Sequence, residues 1–198
     1  MKNEKIRAIA VSSIMGAIGF ILMLLEFPLP FIIPNFIKFD FSDFPALLTS
    51  FAIGPFYGIL VSLIKNLLHL FVTSSSGVGE LSNFMLGSVF CFFAGLIYKH
   101  KKNRKNALIG CLVGSLLMGL LSVVFNYYIV YPFYVSFFGM PMEAIIGMYK
   151  ALLPSADTLI KALLIFNLPF TVCKGIIVSV ICFLLYKRLS PIIKPKSK

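Results

Sequence analysis

Acidic residues are scarce in this sequence: seven Asp and Glu stand among 198 residues, with two histidines and no tryptophan. Charged residues of both signs make up only 13% of the chain, against about 25% in ordinary soluble domains. The four cysteines, Cys91, Cys111, Cys173 and Cys182, lie inside apolar segments, without C-x-x-C spacing or a Cys/His cluster. They read as small buried apolar residues, and no metal site is indicated. No GxxxxGK[ST] is present, so a P-loop ATPase is excluded, and HExxH and GxSxG are missing too. One of the two histidines, His100, lies in a basic turn. No nucleophile and base are positioned for catalysis, which leaves binding or transport as the stronger class. No repeat of 20–50 residues and no symmetry between the halves is visible, so an inverted-repeat carrier is not supported.

What fills the chain is apolar. Hydrophobic residues reach 59%, and the formal net charge is +11. Basic chains often bind nucleic acid, but here 13 of the 18 Lys and Arg fall in three patches, 2–7, 99–105 and 187–198, separated by long apolar runs. That is the positive-inside pattern of a membrane protein. Anionic membrane lipids are the partners it suggests, and no nucleic acid. The first apolar run follows a basic start, as a signal peptide would, but no A-x-A site follows it and it is long enough to span.

One domain, 1–198, is expected: an all-α integral membrane protein with six transmembrane helices near 6–25, 43–54, 55–72, 78–98, 107–131 and 159–186. Six segments place both termini and all three basic patches in the cytoplasm. The piece 43–54 is short for a bilayer, which needs about 17–25 helical residues, so it is completed by a loop or packed as a half-helix. Long external loops follow helices 1 and 5, and the second (132–157) is apolar enough to form a lid.

Ionisable groups in hydrocarbon cost at least about 2.5–3.5 kcal/mol and mark sites or buried pairs. Asn167, Thr171 and Lys174 share one face of the sixth helix at i, i+4, i+7. Lys174 lies roughly 18–22 Å from either end of that segment. A ligand-facing lysine and a buried ion pair are both open to it. Lys65 and His69 share a face of the third helix, and an antiparallel fourth helix brings Glu80 level with His69 and within reach of Lys65. A structural ion pair among Lys65, His69 and Glu80 follows, with Asn83 one turn deeper and facing a ligand. Asn126 sits in the fifth helix, about 8 Å from its end. Tyr127, Tyr131 and Tyr134 form either an interfacial belt or a stacking wall for a planar ligand.

Ala8, Ser12 and Gly16 form a small-residue face on the first helix, suited to internal packing or to docking another membrane subunit. In FDFSDFP (Phe39–Pro45), Ser42 or Asp43 suits a helix N-terminus ahead of Pro45. Capping leaves Asp40 unexplained.

Taken together, KFDFSDFPALL, LIKNLLHL, GVGELSNF, NYYIVYPFY and PFTVCKG resemble the riboflavin-specific substrate-binding (S) components of energy-coupling factor (ECF) vitamin transporters, along essentially the whole chain. The resemblance implies a non-enzymatic, riboflavin-binding subunit in the bacterial cell membrane, with FMN as a possible second ligand and no catalytic cofactor. It implies docking through the first helix on a transmembrane coupling subunit and two ATPase subunits, whose ATP hydrolysis drives delivery inward. Asn126 and Lys174 match the family's ligand-binding asparagine and lysine. Thr171 departs from the family's usual asparagine, with Asn167 one turn away. The expected ligand contacts are Phe39, Asp40, Phe41 and Ser42 as an outer lip, with Asn83, Asn126, Tyr127, Tyr131, Asn167, Thr171 and Lys174. The alternatives are an S component for another vitamin or precursor, and an intramembrane enzyme using Lys65, His69 and Glu80.

Overall fold

Gly54 and Pro55 break one apolar stretch into two helices. Gly54 has φ +153°, a conformation that glycine alone adopts readily, and Pro55 opens the next helix where its missing N–H is not needed. The computed structural model of the chain describes residues 2–73 and 75–193. Ser74 and the last three lysines of the third basic patch (Lys194, Lys196 and Lys198) lie outside the described residues.

The chain runs through α1 (Lys2–Leu24) into a two-residue antiparallel ladder, β1 (Phe27–Pro28) with β2 (Lys38–Phe39), in which Phe27 faces Phe39. Then follow α2 (Asp43–Ala52), α3 (Pro55–His69) and α4 (Val78–His100), with a 3-10 turn, Leu70–Val72, after α3. α5 (Arg104–Phe125) passes through a π turn (Asn126–Val130) into α6 (Tyr131–Phe138). α7 (Met142–Leu152) is separate, and α8 (Leu159–Ala162) continues through a second π turn (Leu163–Asn167) into α9 (Leu168–Ile193). The long external loop expected at 132–157 is therefore largely helical. The β1–β2 ladder is an addition to the all-α expectation, and it ties the start of the first long loop to its end.

Among the described residues, five helical stretches are long and apolar enough to cross a bilayer: Asn3–Leu24, Pro55–Val72, Val78–His100, Arg104–Phe138 and Leu159–Leu189. The sixth predicted span, α2, is ten residues, about 15 Å of helix. Eight of those ten are buried, so α2 is clothed by protein, the setting in which a short helix is tolerated at membrane depth.

Small residues let the helices close on each other, which matters where lipid removes the hydrophobic drive between them. A Cβ at Gly110 would lie 2.6 Å from the carbonyl oxygen of Ala94, fixing the α4–α5 approach. The α1 face built from Ala8, Ser12 and Gly16 is buried. A Cβ at Gly16 would meet Ile64 of α3 at 2.6 Å, and Ser12 donates to its own helix at the Ala8 carbonyl. That face is spent on internal packing, which corrects the docking assignment of these three residues; Ala10, Ser13 and Ala17 are the small residues α1 leaves exposed.

Two apolar clusters divide the interior. One joins α2, α3, α4, α5 and α9 around Leu47, Leu48, Val61, Phe90 and Val178. The other joins the first loop, α6, α7 and α8 around Ile33, Tyr131, Ile145, Tyr149 and Leu163. Polar side chains gather between them.

Candidate functional site

Four buried ionised groups meet there, two from each sign. Lys65 on α3 is fully buried and donates to Asp43 Oδ1 (2.6 Å), Ser42 Oγ (2.5 Å) and Asn83 Oδ1 (3.1 Å). Lys174 on α9 donates to Asp40 Oδ2 at 2.8 Å and lies 3.5 Å from Asp43 Oδ2. Asp43 Oδ2 makes no hydrogen bond in the structure, so its contact with Lys174 is an ionic approach only. Burial alone would raise the Asp40 carboxyl, but the ammoniums of Lys174 and Lys65, with hydrogen bonds from Lys174 and Ser42, hold it well below the usual carboxylate range.

Local sequence builds this arrangement. The Ser42 N–H donates to Asp40 Oδ1 at 2.8 Å, the Asx geometry by which an aspartate turns its own chain. This aims the other Asp40 oxygen at Lys174. No side chain caps α2: the expected capping role of Ser42 or Asp43 is not seen, because Lys65 claims both. Gly87 makes the room, since a Cβ there would lie 2.6 Å from Asp43 Oδ1. One turn along α3, His69 Nδ1 meets Glu80 Oε1 at 2.7 Å, as expected, and Ser75 donates to Glu80 Oε2 at 2.9 Å. Lys65 is not part of that pair. Its partner is Asp43, whose entry on α2 brings a carboxylate closer than α4 does.

Above the four groups opens a cavity. Asp40, Asn83, Asn126, Tyr131, Asn167, Thr171 and Lys174 line it. Seven of the eleven predicted contacts therefore share one space. Four do not. Ser42 is fully buried beneath, on Lys65. Phe39 and Phe41 pack edge-on against each other behind the wall, and Phe39 also against Phe170. Tyr127 is 39% exposed on the outside of the bundle. The cause is the π turn: the Tyr131 N–H bonds back to the Asn126 carbonyl, five residues away, so Asn126 and Tyr131 share the inner face and Tyr127 rotates off it. Asp40 belongs to the floor with Lys174, and not to a lip.

Sequence reasoning missed Phe36, Ile37, Met118 and Phe170 as cavity walls, with Glu26 and Lys38 at the rim, while Tyr134, left open between an interfacial belt and a stacking wall, lines the cavity as well. Phe36 and Ile37 stand directly before KFDFSDFP, and Phe170 lies inside PFTVCKG; those aromatics were the available signal. Tyr149 of α7 closes the arrangement. Its hydroxyl donates to Asn167 Oδ1 at 2.6 Å and meets the Tyr131 hydroxyl at 2.5 Å, while Phe36 packs edge-on against both rings. Burial pushes the Tyr149 hydroxyl up, keeping it a neutral donor.

The pocket thus has a hydrogen-bonding floor, asparagines on two walls and aromatics around the rest, which suits a flat, polar-edged, largely uncharged molecule. Catalysis through Lys65, His69 and Glu80 lacks a free lysine, since Lys65 is sealed under the floor.

A family model described as ECF transporter, substrate-specific component, matches residues 7–186. The chain belongs to that family. It is 35% identical to the riboflavin transporter RibU of Staphylococcus aureus over 182 residues, 92% of this chain and 89% of that protein. It is 34% identical to the riboflavin transporter FmnP of Bacillus subtilis, with 94% of each covered. A solved structure of the S component of a bacterial ECF transporter superposes with a TM-score of 0.74 at 31% identity, covering 96% of this chain and 99% of that one. The family's helical membrane fold is thus carried by sequence and by shape.

Proposed function

We propose that this protein captures riboflavin at the external face of a bacterial plasma membrane as the S component of an ECF importer. The observation that carries it is the joint placement of Asp40, Asn83, Asn126, Thr171 and Lys174 around one aromatic-walled cavity. The relatives named riboflavin transporters supply the ligand.

An isoalloxazine ring is planar and rimmed with carbonyls and ring nitrogens. Lys174 has three N–H donors, and its two carboxylate neighbours leave at least one for such a rim. Asn126 and Thr171 add neutral donors and acceptors. Tyr131, Tyr134, Phe36 and Phe170 cover apolar faces. Site-built hydrogen bonds of this kind reject analogues that lack the matching groups.

Delivery inward is assigned to partners, a transmembrane coupling subunit and two ATPase subunits, since the chain has no P-loop of its own. Both chain termini and the 101–103 turn then lie in the cytoplasm, with α2 as the sixth, embedded helix and α6–α7 as the lid of the external mouth.

Purified in detergent, the protein should carry flavin absorbance or quench added riboflavin fluorescence. A folded, colourless protein that leaves micromolar riboflavin unquenched would refute the assignment.

A further inference from the structure

Three connections frame the cavity mouth, at the end of the bundle opposite the basic patches: the loop after α1, the 70–77 connection between α3 and α4, and α6 with the turn after it. Each sends side chains to the cavity wall, among them Phe36, Ser75 and Tyr134. Each also turns a phenylalanine the other way. Phe31 is 96% exposed, Phe71 87% and Phe137 68%, with Ile32, Val72 and Met140 exposed beside them. No Asp, Glu, Lys or Arg lies in 27–37, 70–79 or 106–142.

We propose that these six side chains insert into the headgroup–acyl boundary of the surrounding leaflet, and that phospholipid is the partner of this rim. The cavity mouth then opens among the headgroups and not in free water. The inference goes beyond the riboflavin reading and rests only on the membrane fold.

The outward aim is built into each connection. The N–H groups of Ile32 and Ile33 both donate to the Leu29 carbonyl, at 2.9 and 3.1 Å. Ile33 of this tight turn is fully buried in the second apolar cluster, which leaves Phe31 and Ile32 outside. On α3 and the turn that ends it, Leu63, Leu67 and Phe71 recur every four residues and are all exposed. Phe71 thus prolongs the stripe that faces lipid. On α6, Phe137 stacks on Phe133 one turn back at 5.0 Å, which orders a ring the rest of the chain leaves uncovered.

Depth agrees with aim. α5 has 22 residues, about 33 Å of helix, and already crosses an acyl core of about 30 Å. α6 follows it and so falls at the interface. Pro55–Val72 has 18 residues, about 27 Å, which sets Phe71 and Val72 at the edge of the core. Aromatic side chains concentrate at that depth. Apolar surface leaves water there, and no ionised group of these segments has to be desolvated with it. A second protein seated on this rim would cover the mouth; lipid at its flanks does not.

Because the chain has no tryptophan, Phe31→Trp, Phe71→Trp and Phe137→Trp each carry a single reporter. Each full-length variant is reconstituted in phosphatidylcholine–phosphatidylglycerol vesicles. Its emission is then compared between unbrominated lipid and lipid brominated near the headgroup end of the acyl chain, and with iodide on both sides of the vesicle. All three should lose emission to the brominated lipid, and iodide should quench them less than it quenches N-acetyltryptophanamide in the same buffer. Should one of them fail to fold, Ile32→Trp, Val72→Trp or Met140→Trp reports on the same connection. A position that iodide reaches as freely as the soluble amide overturns the inference. So does a position shielded from both quenchers, which would place a second copy of the chain on the rim. A folded chain that binds no flavin defeats the riboflavin reading and leaves this one standing.

Discussion

Lys65 and Lys174 approach the same aspartates from different helices, and the two lysines differ in what they touch. Lys174 lines the cavity; Lys65 is sealed. Removing one partner from a buried ion pair costs about 3–5 kcal/mol, because the survivor stays buried and charged. Lys65→Met should therefore lower stability by about that much, and Lys65→Met/Asp43→Asn should recover part of it, read by thermal melting in detergent. A Lys65→Met single variant as stable as the wild type would contradict the buried pair. The Lys174 pair should separate fold from binding. Lys174→Met/Asp40→Asn keeps the floor neutral, so it should fold and yet bind riboflavin at least about 100-fold more weakly, two lost charge-assisted hydrogen bonds being worth that much. Acid sensitivity follows from Asp40, whose carboxyl is depressed in the folded protein. Its stabilising contribution is complete above the unfolded value of about 3.9 and is lost as pH falls below that toward the folded value. The loss of melting temperature between pH 5 and pH 3 should then be smaller in Asp40→Asn.

At the scale of elements, the two π turns decide which side chains face the cavity. Such turns insert one residue into a helix and recur at functional sites. Here one opens with Asn126 and the other closes with Asn167. Deleting the exposed Tyr128 should remove the inserted residue and leave Tyr131 four residues from Asn126, still on the inner face, so riboflavin binding should survive with helicity unchanged by circular dichroism. Lost binding in the folded variant would show that the wide turn itself is required. Periodicity made the fold easy to anticipate: the 167–171–174 stripe follows from regular spacing along one helix, and the His69–Glu80 pair from two consecutive helices run antiparallel. The misplaced residues sit where regularity fails. Tyr127 was misjudged because sequence carries no sign of a π turn. Asp43 was taken for a cap because its partner lies 22 residues away on another helix, a separation that local reading does not reach. Ala8, Ser12 and Gly16 match a docking face and a packing face equally well, and Ile64 decided between them only in three dimensions.

At the scale of the whole molecule, the cavity lies between a packed bundle and a cap held on by α7. The cap's polar anchor is the Tyr149–Tyr131–Asn167 contact. Tyr149→Phe leaves buried partners unsatisfied at about 1–3 kcal/mol, so riboflavin release should quicken by roughly five- to 100-fold in stopped-flow measurements; an unchanged off-rate would mean the cap does not gate the site. The measurement closest to the central claim is a titration of riboflavin fluorescence with the purified chain beside Lys174→Met/Asp40→Asn. The account predicts saturating quenching at one flavin per wild-type chain and none, at the same concentrations, in the folded double variant. A folded wild type that leaves the fluorescence unchanged, or a double variant that quenches as well as it does, would contradict it.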